Sequence, residues 1–202
     1  DYIEAYGMTE TMAPTHINPS HRPKLGSIGI PIFNVDARII DLDSGKQLET
    51  DCVGELVVSG PQMFSGYWQD KEKTKEAFIN LDNKKFLKTG DLGYFDSDGY
   101  FYIVDRLKRM ISFSGFKVWP AEVEEVLYSH PDIKEACVIA VPDQRTGEKV
   151  KAVIVLKEQS AVLTLRRLQI WCKSRMATYK IPKMIELRDE LPKNRVGKIL
   201  WR

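Results

Sequence analysis

Apolar residues in the first half of the chain recur mostly at every second position, in short runs broken by glycine, proline and acidic residues. That pattern predicts strands joined by turns. Tyr2-Ile3-Glu4-Ala5-Tyr6 alternates in this way, and Gly7 permits a sharp exit. Val35 to Leu42 and Val53 to Ser59 read as strands connected by a turn at Asp43-Ser44-Gly45. Gly60-Pro61 and Ser65-Gly66-Tyr67 are punctuation, and Asp70 is placed to cap a short helix running through Ile79. Asp96-Ser97-Asp98-Gly99 predicts a hairpin turn between Tyr94-Phe95 and a strand from Tyr100 to Val104.

After Lys108 the period changes. Pro120 suits the first turn of a helix through Ser129, with Val123, Val126 and Leu127 as its buried stripe and His130-Pro131 as its end. Ile133 to Val141 predicts a buried strand and Pro142 to Glu148 a polar loop. Lys149 to Lys157 alternates with Val150, Ala152, Ile154 and Leu156 on one face. Thr164 is expected to cap a helix carrying Leu165, Leu168 and Cys172 inward, and Met184 to Leu187 reads as a further strand. The second half is therefore a small α+β unit of about a hundred residues, the usual size of an independent domain.

Composition narrows the class without naming a chemistry. Among 202 residues, 43% are hydrophobic and 29% charged, as in ordinary globular proteins. A net charge of +2 is too small to attract nucleic acid or a membrane by field alone. Cys52, Cys137 and Cys172 are odd in number and form no CxxC pair, which suits buried free thiols in a reducing, cytoplasmic setting. The longest apolar runs are too short to cross a bilayer, and there is no signal-peptide pattern. The chain opens on Asp1 and enters a strand at once, as expected of a piece of a longer protein.

Four short motifs carry candidate chemistry, and each admits a bland alternative. In Tyr6-Gly7-Met8-Thr9-Glu10, a hydroxyl and a carboxylate at a strand end can address a phosphate and its Mg2+, or simply form a polar turn. In Lys88-Thr89-Gly90-Asp91-Leu92 the carboxylate can accept hydrogen bonds from both hydroxyls of a ribose, or merely terminate a strand. Asp105-Arg106-Leu107-Lys108 leads into the glycine-containing run Ser112 to Lys117 and reads either as a solvated loop or as a junction between two half-sites. In the last motif, Leu191-Pro192-Lys193-Asn194-Arg195-Val196-Gly197-Lys198, a lysine beside a glycine can reach developing negative charge, though basic tails are common. His16 and His21 fall in a proline-punctuated polar loop and His130 ends a helix, with no metal-ligand spacing among them.

Taken in order, YGMTE, GELVVSG with its following GY, KTGDL, DRLKRMISFSGFKVWPAEVE and PKNRVGK resemble the adenylate-forming superfamily of acyl-CoA synthetases, luciferases and peptide-synthetase adenylation domains. SGFKVWPAEVE and YKIPKMIELRDELPK are most similar to long-chain fatty-acid–CoA ligases. The resemblance implies an α+β architecture. Residues 1–105 would be the β-rich, distorted-barrel end of the large AMP-binding domain, 106–108 the hinge, and 109–202 a small C-terminal lid.

The resemblance further implies the substrates ATP and coenzyme A, Mg2+ as cofactor, and a carboxylate (a fatty acid), with which a peripheral membrane contact is compatible. It assigns adenine stacking to Tyr6, the α-phosphate to Thr9, Mg2+ to Glu10 and the ribose hydroxyls to Asp91 supported by Arg106. Lys108 becomes the pivot and Lys198 the lysine of the adenylation step. Ser114, Gly115, Phe116 and Lys117 would line the pantetheine path, with Arg145 and Lys183 meeting the coenzyme's phosphates. Many relatives carry lysine where Ser112 stands, which argues against a luciferase-like oxidation. The expectation is an ATP-dependent acyl-CoA ligase whose phosphate loop lies upstream, so that the fragment alone is inactive. An adenylation domain loading a carrier protein, or a noncatalytic nucleotide- or partner-binding remnant, are the alternatives.

Overall fold

In a computed structural model, which describes residues 3–158, 163–195 and 197–201, the chain folds as two units, Asp1–Leu107 and Lys108–Arg202. Tyr2, at the start of the first expected strand, and Val196, within the last motif, lie outside the described residues.

Among the described residues the first unit has eight strands and one short α-helix. β1 (Ala5–Gly7), β2 (Pro14–Ile17) and β3 (Ile30–Pro31) form an antiparallel sheet. β4 (Asp36–Ile40) and β5 (Gly54–Ser59) follow, then α1 (Lys71–Glu76), β6 (Phe78–Leu81), β7 (Lys84–Phe95) and β8 (Phe101–Arg106). These five strands make a second sheet in the order β4-β5-β7-β6, with β8 also on β7, and the sheet curls into a half-barrel. Every residue of β5 is buried because both faces are covered. Leu56 and Val58 pack with Ile39, Leu87 and Phe101, while Val57 joins Ile40 and Phe86 on the other side.

Asp70 caps α1 through the Lys73 N–H, as expected, but the helix stops at Glu76. Phe78 to Leu81 instead pair with Leu87 to Lys84, so Ile79 belongs to a strand. A six-residue helix has little cohesion of its own, and the ladder wins. The turn at 96–99 forms as expected, with the Asp96 carboxylate accepting from the Asp98 and Tyr100 N–H groups.

The second unit opens with a hairpin of β9 (Ile111–Phe113) and β10 (Phe116–Val118), followed by α2 (Pro120–Tyr128), β11 (Ile133–Asp143), β12 (Gly147–Leu156), α3 (Leu165–Lys173) and β13 (Met184–Leu187). Its sheet runs β10-β9-β12-β11, with β13 parallel to β12. The expected loop at 142–148 is mostly ladder, since Pro142 pairs with Glu148 and Asp143 with Gly147. Val150, Ala152, Ile154 and Leu156 share one face, as the alternation predicts, and pack with Val123, Leu127, Leu168 and Cys172. The opposite face is buried too, because Leu191, Ile199 and Trp201 cover Cys137, Val153 and Val155. Of the three thiols Cys137 and Cys172 are buried, and burial pushes each up to about 11, whereas Cys52 is exposed, contrary to expectation. Among the described residues no helix is long and apolar enough to cross a membrane.

Candidate active site

A bulge in β7 shapes the site of the first unit. Glu55 pairs with Leu92 and Val57 with Lys88, so Leu56 alone faces Thr89, Gly90 and Asp91. The motif thus lies inside a twelve-residue strand instead of ending one. Out of the regular ladder, its backbone groups take side-chain partners. Gly90 adopts φ +70, a conformation that disfavours any residue with a Cβ, and its N–H donates to Glu55 Oε1 at 3.1 Å. The Thr89 hydroxyl donates to the Leu56 carbonyl at 2.7 Å and accepts from the Asp91 N–H at 3.1 Å.

Asp91 is therefore buried but turned toward polar partners. Its carboxylate accepts a hydrogen bond from the Tyr6 hydroxyl at 2.6 Å and pairs with Arg106 Nε at 3.0 Å. Arg106 is its direct neighbour across the β7–β8 ladder. The guanidinium side chain is 60% exposed, so solvent screens this pair and it contributes orientation more than stability. Burial, followed by the Asp91 charge, holds the Tyr6 phenol above its usual range, so it remains a donor. The structure brings Tyr6, Asp91 and Arg106 together.

Thr9 and Glu10 sit on a single 3-10 turn, Thr9–Thr11, directly after β1. Thr9 is exposed and Glu10 half-buried. Glu10 Oε1 accepts from the Tyr67 hydroxyl at 2.9 Å, a contact that sequence reading missed because Tyr67 looked like turn punctuation. Glu10 also accepts at its carbonyl from the Phe64 N–H. No group of three or more metal-type ligands exists among the described residues. A divalent ion at Glu10 would thus rest on one carboxylate and the oxygens of a bound phosphate, a donor set that suits Mg2+.

His16 corrects the sequence reading. It lies on β2, wholly buried, with its ring 5.8 Å from that of Tyr6 and 4.8 Å from that of Phe101. Its Nδ1 and the Thr15 hydroxyl are 3.0 Å apart, while Nε2 is buried without a partner among the described residues. Burial lowers its pKa to about 4 from 6.5. A depressed pKa means that the unfolded chain binds the extra proton between those values, so stability present above pH 6.5 is lost as pH falls toward 4. The expected loss is about 3 kcal/mol. A thermal melt series over that range should show the drop, and His16→Phe, which keeps the ring but cannot titrate, should flatten it.

In the second unit, Lys108 lies in a 3-10 turn, Leu107–Arg109, that follows β8 without an intervening loop. Asp105 and Arg106 belong to β8 itself, and Asp105 is buried. Ser114 and Gly115, at φ +49 and +81, form the two-residue left-handed turn that matches the twist of the β9–β10 hairpin. A Cβ on Gly115 would meet no atom within 4 Å, so the backbone angle, rather than crowding inside this chain, is what requires glycine.

The Ser114 N–H donates to the Thr146 carbonyl at 2.9 Å, which brings the hairpin loop carrying Arg145 beside this turn. The Phe116 ring stacks on Tyr179 at 4.7 Å, and Lys183 Nζ lies 5.4 Å from the Phe113 ring. Arg145 and Lys117 are exposed. Lys198 is held elsewhere on the unit. Its backbone N–H donates to Asn194 Oδ1 at 2.9 Å, Gly197 turns at φ +82, and Leu191, Ile199 and Trp201 anchor the segment to the outer face of the sheet. The side chain itself is exposed.

This arrangement matches known proteins along its full length. Residues 1–68 match the model of the AMP-binding enzymes, and residues 122–198 match that of the AMP-binding enzyme C-terminal domain. The chain belongs to the AMP-binding enzymes. It is 44% identical over 201 residues to a long-chain-fatty-acid–CoA ligase of Bacillus subtilis, covering 99% of this chain and 35% of that protein. It is 40% identical to a feruloyl-CoA synthase of Amycolatopsis sp, covering 98% of this chain and 40% of the synthase. The structure superposes on ATP-bound MatB from Rhodopseudomonas palustris with a TM-score of 0.85 at 36% identity, over 98% of this chain and 38% of MatB. The chain thus spans little more than a third of the length of the curated relatives it matches.

Proposed function

We propose that this chain supplies the ribose side of the nucleotide cleft and the mobile lid of an ATP-dependent acyl-CoA ligase acting on a fatty acid. The observation that carries the reading is the buried Asp91 carboxylate. A bulge places it beside Tyr6 and Arg106, and a carboxylate has the spare lone pairs to accept from vicinal hydroxyls as well. The 44% identity to a long-chain-fatty-acid–CoA ligase supports the substrate class, and the feruloyl-CoA synthase marks the range of acids that similar sequences accept.

The reaction has two halves. A carboxylate oxygen attacks the α-phosphorus of ATP and the bond to the β-phosphate breaks, giving acyl-adenylate and pyrophosphate. The sulfur of coenzyme A then attacks the acyl carbon and AMP leaves. In the first half Asp91 accepts from the ribose hydroxyls, the Tyr6 ring faces the adenine, and Thr9 hydrogen-bonds the α-phosphate. Glu10, oriented by Tyr67, would hold Mg2+, which supplies charge neutralisation at the phosphates. Lys198 meets the negative charge that builds up there, on a stem that can reach in and withdraw. The unit from Lys108 onward turns at that residue between the halves, and the 114–117 turn, with Arg145 and Lys183 beside it, receives the coenzyme.

The test is a panel of carboxylates of graded length with ATP and coenzyme A on the full-length protein, run beside ATP–pyrophosphate exchange on this chain alone. Turnover with long-chain acids and no exchange by the isolated chain is expected. Exchange by the isolated chain would refute its dependence on other segments, and preference for aromatic acids would refute the substrate class.

A further inference from the structure

Among the buried charged side chains that the mechanism leaves unused is Glu55. Glu55 is 7% exposed, next to the buried aliphatic run Leu56-Val57-Val58 of β5, and burial holds its carboxyl above the usual carboxylate range. Keeping an ionisable group there is costly unless it does something an apolar residue cannot. A hydrogen bond explains it: Oε1 accepts from the Gly90 N–H, which the bulge leaves without a ladder partner, one residue before Asp91. Thr89 holds the next N–H, that of Asp91 itself.

We propose that Glu55 is a positioning residue for ribose recognition, fixing the Gly90 peptide so that the Asp91 carboxylate keeps the direction in which two ribose hydroxyls can donate to it. The inference rests on the reading of Asp91 given above. What the position requires is an acceptor at that length, not a negative charge. A charge there opposes that of Asp91, which is a further reason to expect that the neutral isostere will serve.

The readout is the ratio of kcat/KM for ATP to that for 2′-deoxyATP in the full-length ligase. Loss of fold or of active fraction lowers both values alike and leaves the ratio unmoved. Asp91→Ala should collapse the ratio about 10- to 100-fold, the range of a charge-assisted hydrogen bond. Glu55→Met, equal in length but without an acceptor, should lower it about tenfold. Glu55→Gln, which keeps the oxygen, should stay within about twofold of the parent. If the methionine variant does not accumulate, Glu55→Asp shortens the arm by one methylene and should show the same fall. A ratio unchanged by Glu55→Met or Glu55→Asp while Asp91→Ala abolishes it overturns the role of Glu55 alone. A ratio unchanged by Asp91→Ala overturns the assignment of Asp91. A fall with Glu55→Gln equal to that with Glu55→Met would show that charge, not the acceptor, is what matters.

Discussion

Lys198→Ala in the full-length protein should cut ATP–pyrophosphate exchange by about 10²- to 10³-fold or more, the usual consequence of removing one preorganised group from developing negative charge. Thioester formation from a supplied acyl-adenylate should stay within about twofold. The split follows from how the lysine is mounted. Its side chain is exposed, and the backbone beneath it is fixed by the Asn194 side chain, the Gly197 turn and the apolar anchor of Leu191, Ile199 and Trp201. Truncation therefore removes a reaching cation without disturbing packing. Lys198→Arg should recover only part of the rate, because a planar fork cannot reproduce a compact point charge.

Replacing Gly115 by leucine should have the opposite effect, slowing thioester formation by about 10²-fold while sparing exchange. Two physical terms act here and can be separated. Any side chain at φ +81 strains the hairpin turn, and a large one also fills the open space beside it, where the pantetheine arm is proposed to pass. Asparagine tolerates the left-handed region better than leucine does. Gly115→Asn should thus restore the turn, yet recover the rate only in part if the arm needs the space. Full recovery with asparagine would mean that the glycine serves the turn alone.

The sequence made most of the elements legible because their signals are local. The turn at 96–99, the capped starts of α1 and α3 and the inward face of Lys149 to Lys157 all follow from side chains within a few residues of one another. Misreadings occurred where a distant strand decides. Thr89-Gly90-Asp91 looks like a strand end because its hydrogen-bond partners, Glu55 and Leu56, lie more than thirty residues upstream. The helix from Asp70 reads too long in the sequence because only pairing with β7 reveals Phe78 to Leu81 as a strand. His16 seemed to lie in a polar loop because its neighbours in sequence are polar, whereas its neighbours in space are Tyr6 and Phe101. Glu55 reads in the sequence only as part of the opening of β5, because the Gly90 N–H that it holds lies 35 residues downstream.

The most direct measurement follows both half-reactions in parallel on Lys198→Ala and Gly115→Leu, in single-turnover experiments with saturating ATP or supplied acyl-adenylate. A crossed result, with exchange lost in the first and thioester formation lost in the second, is what a lid using separate groups for the two chemical steps requires. Loss of the same half-reaction in both variants would contradict it.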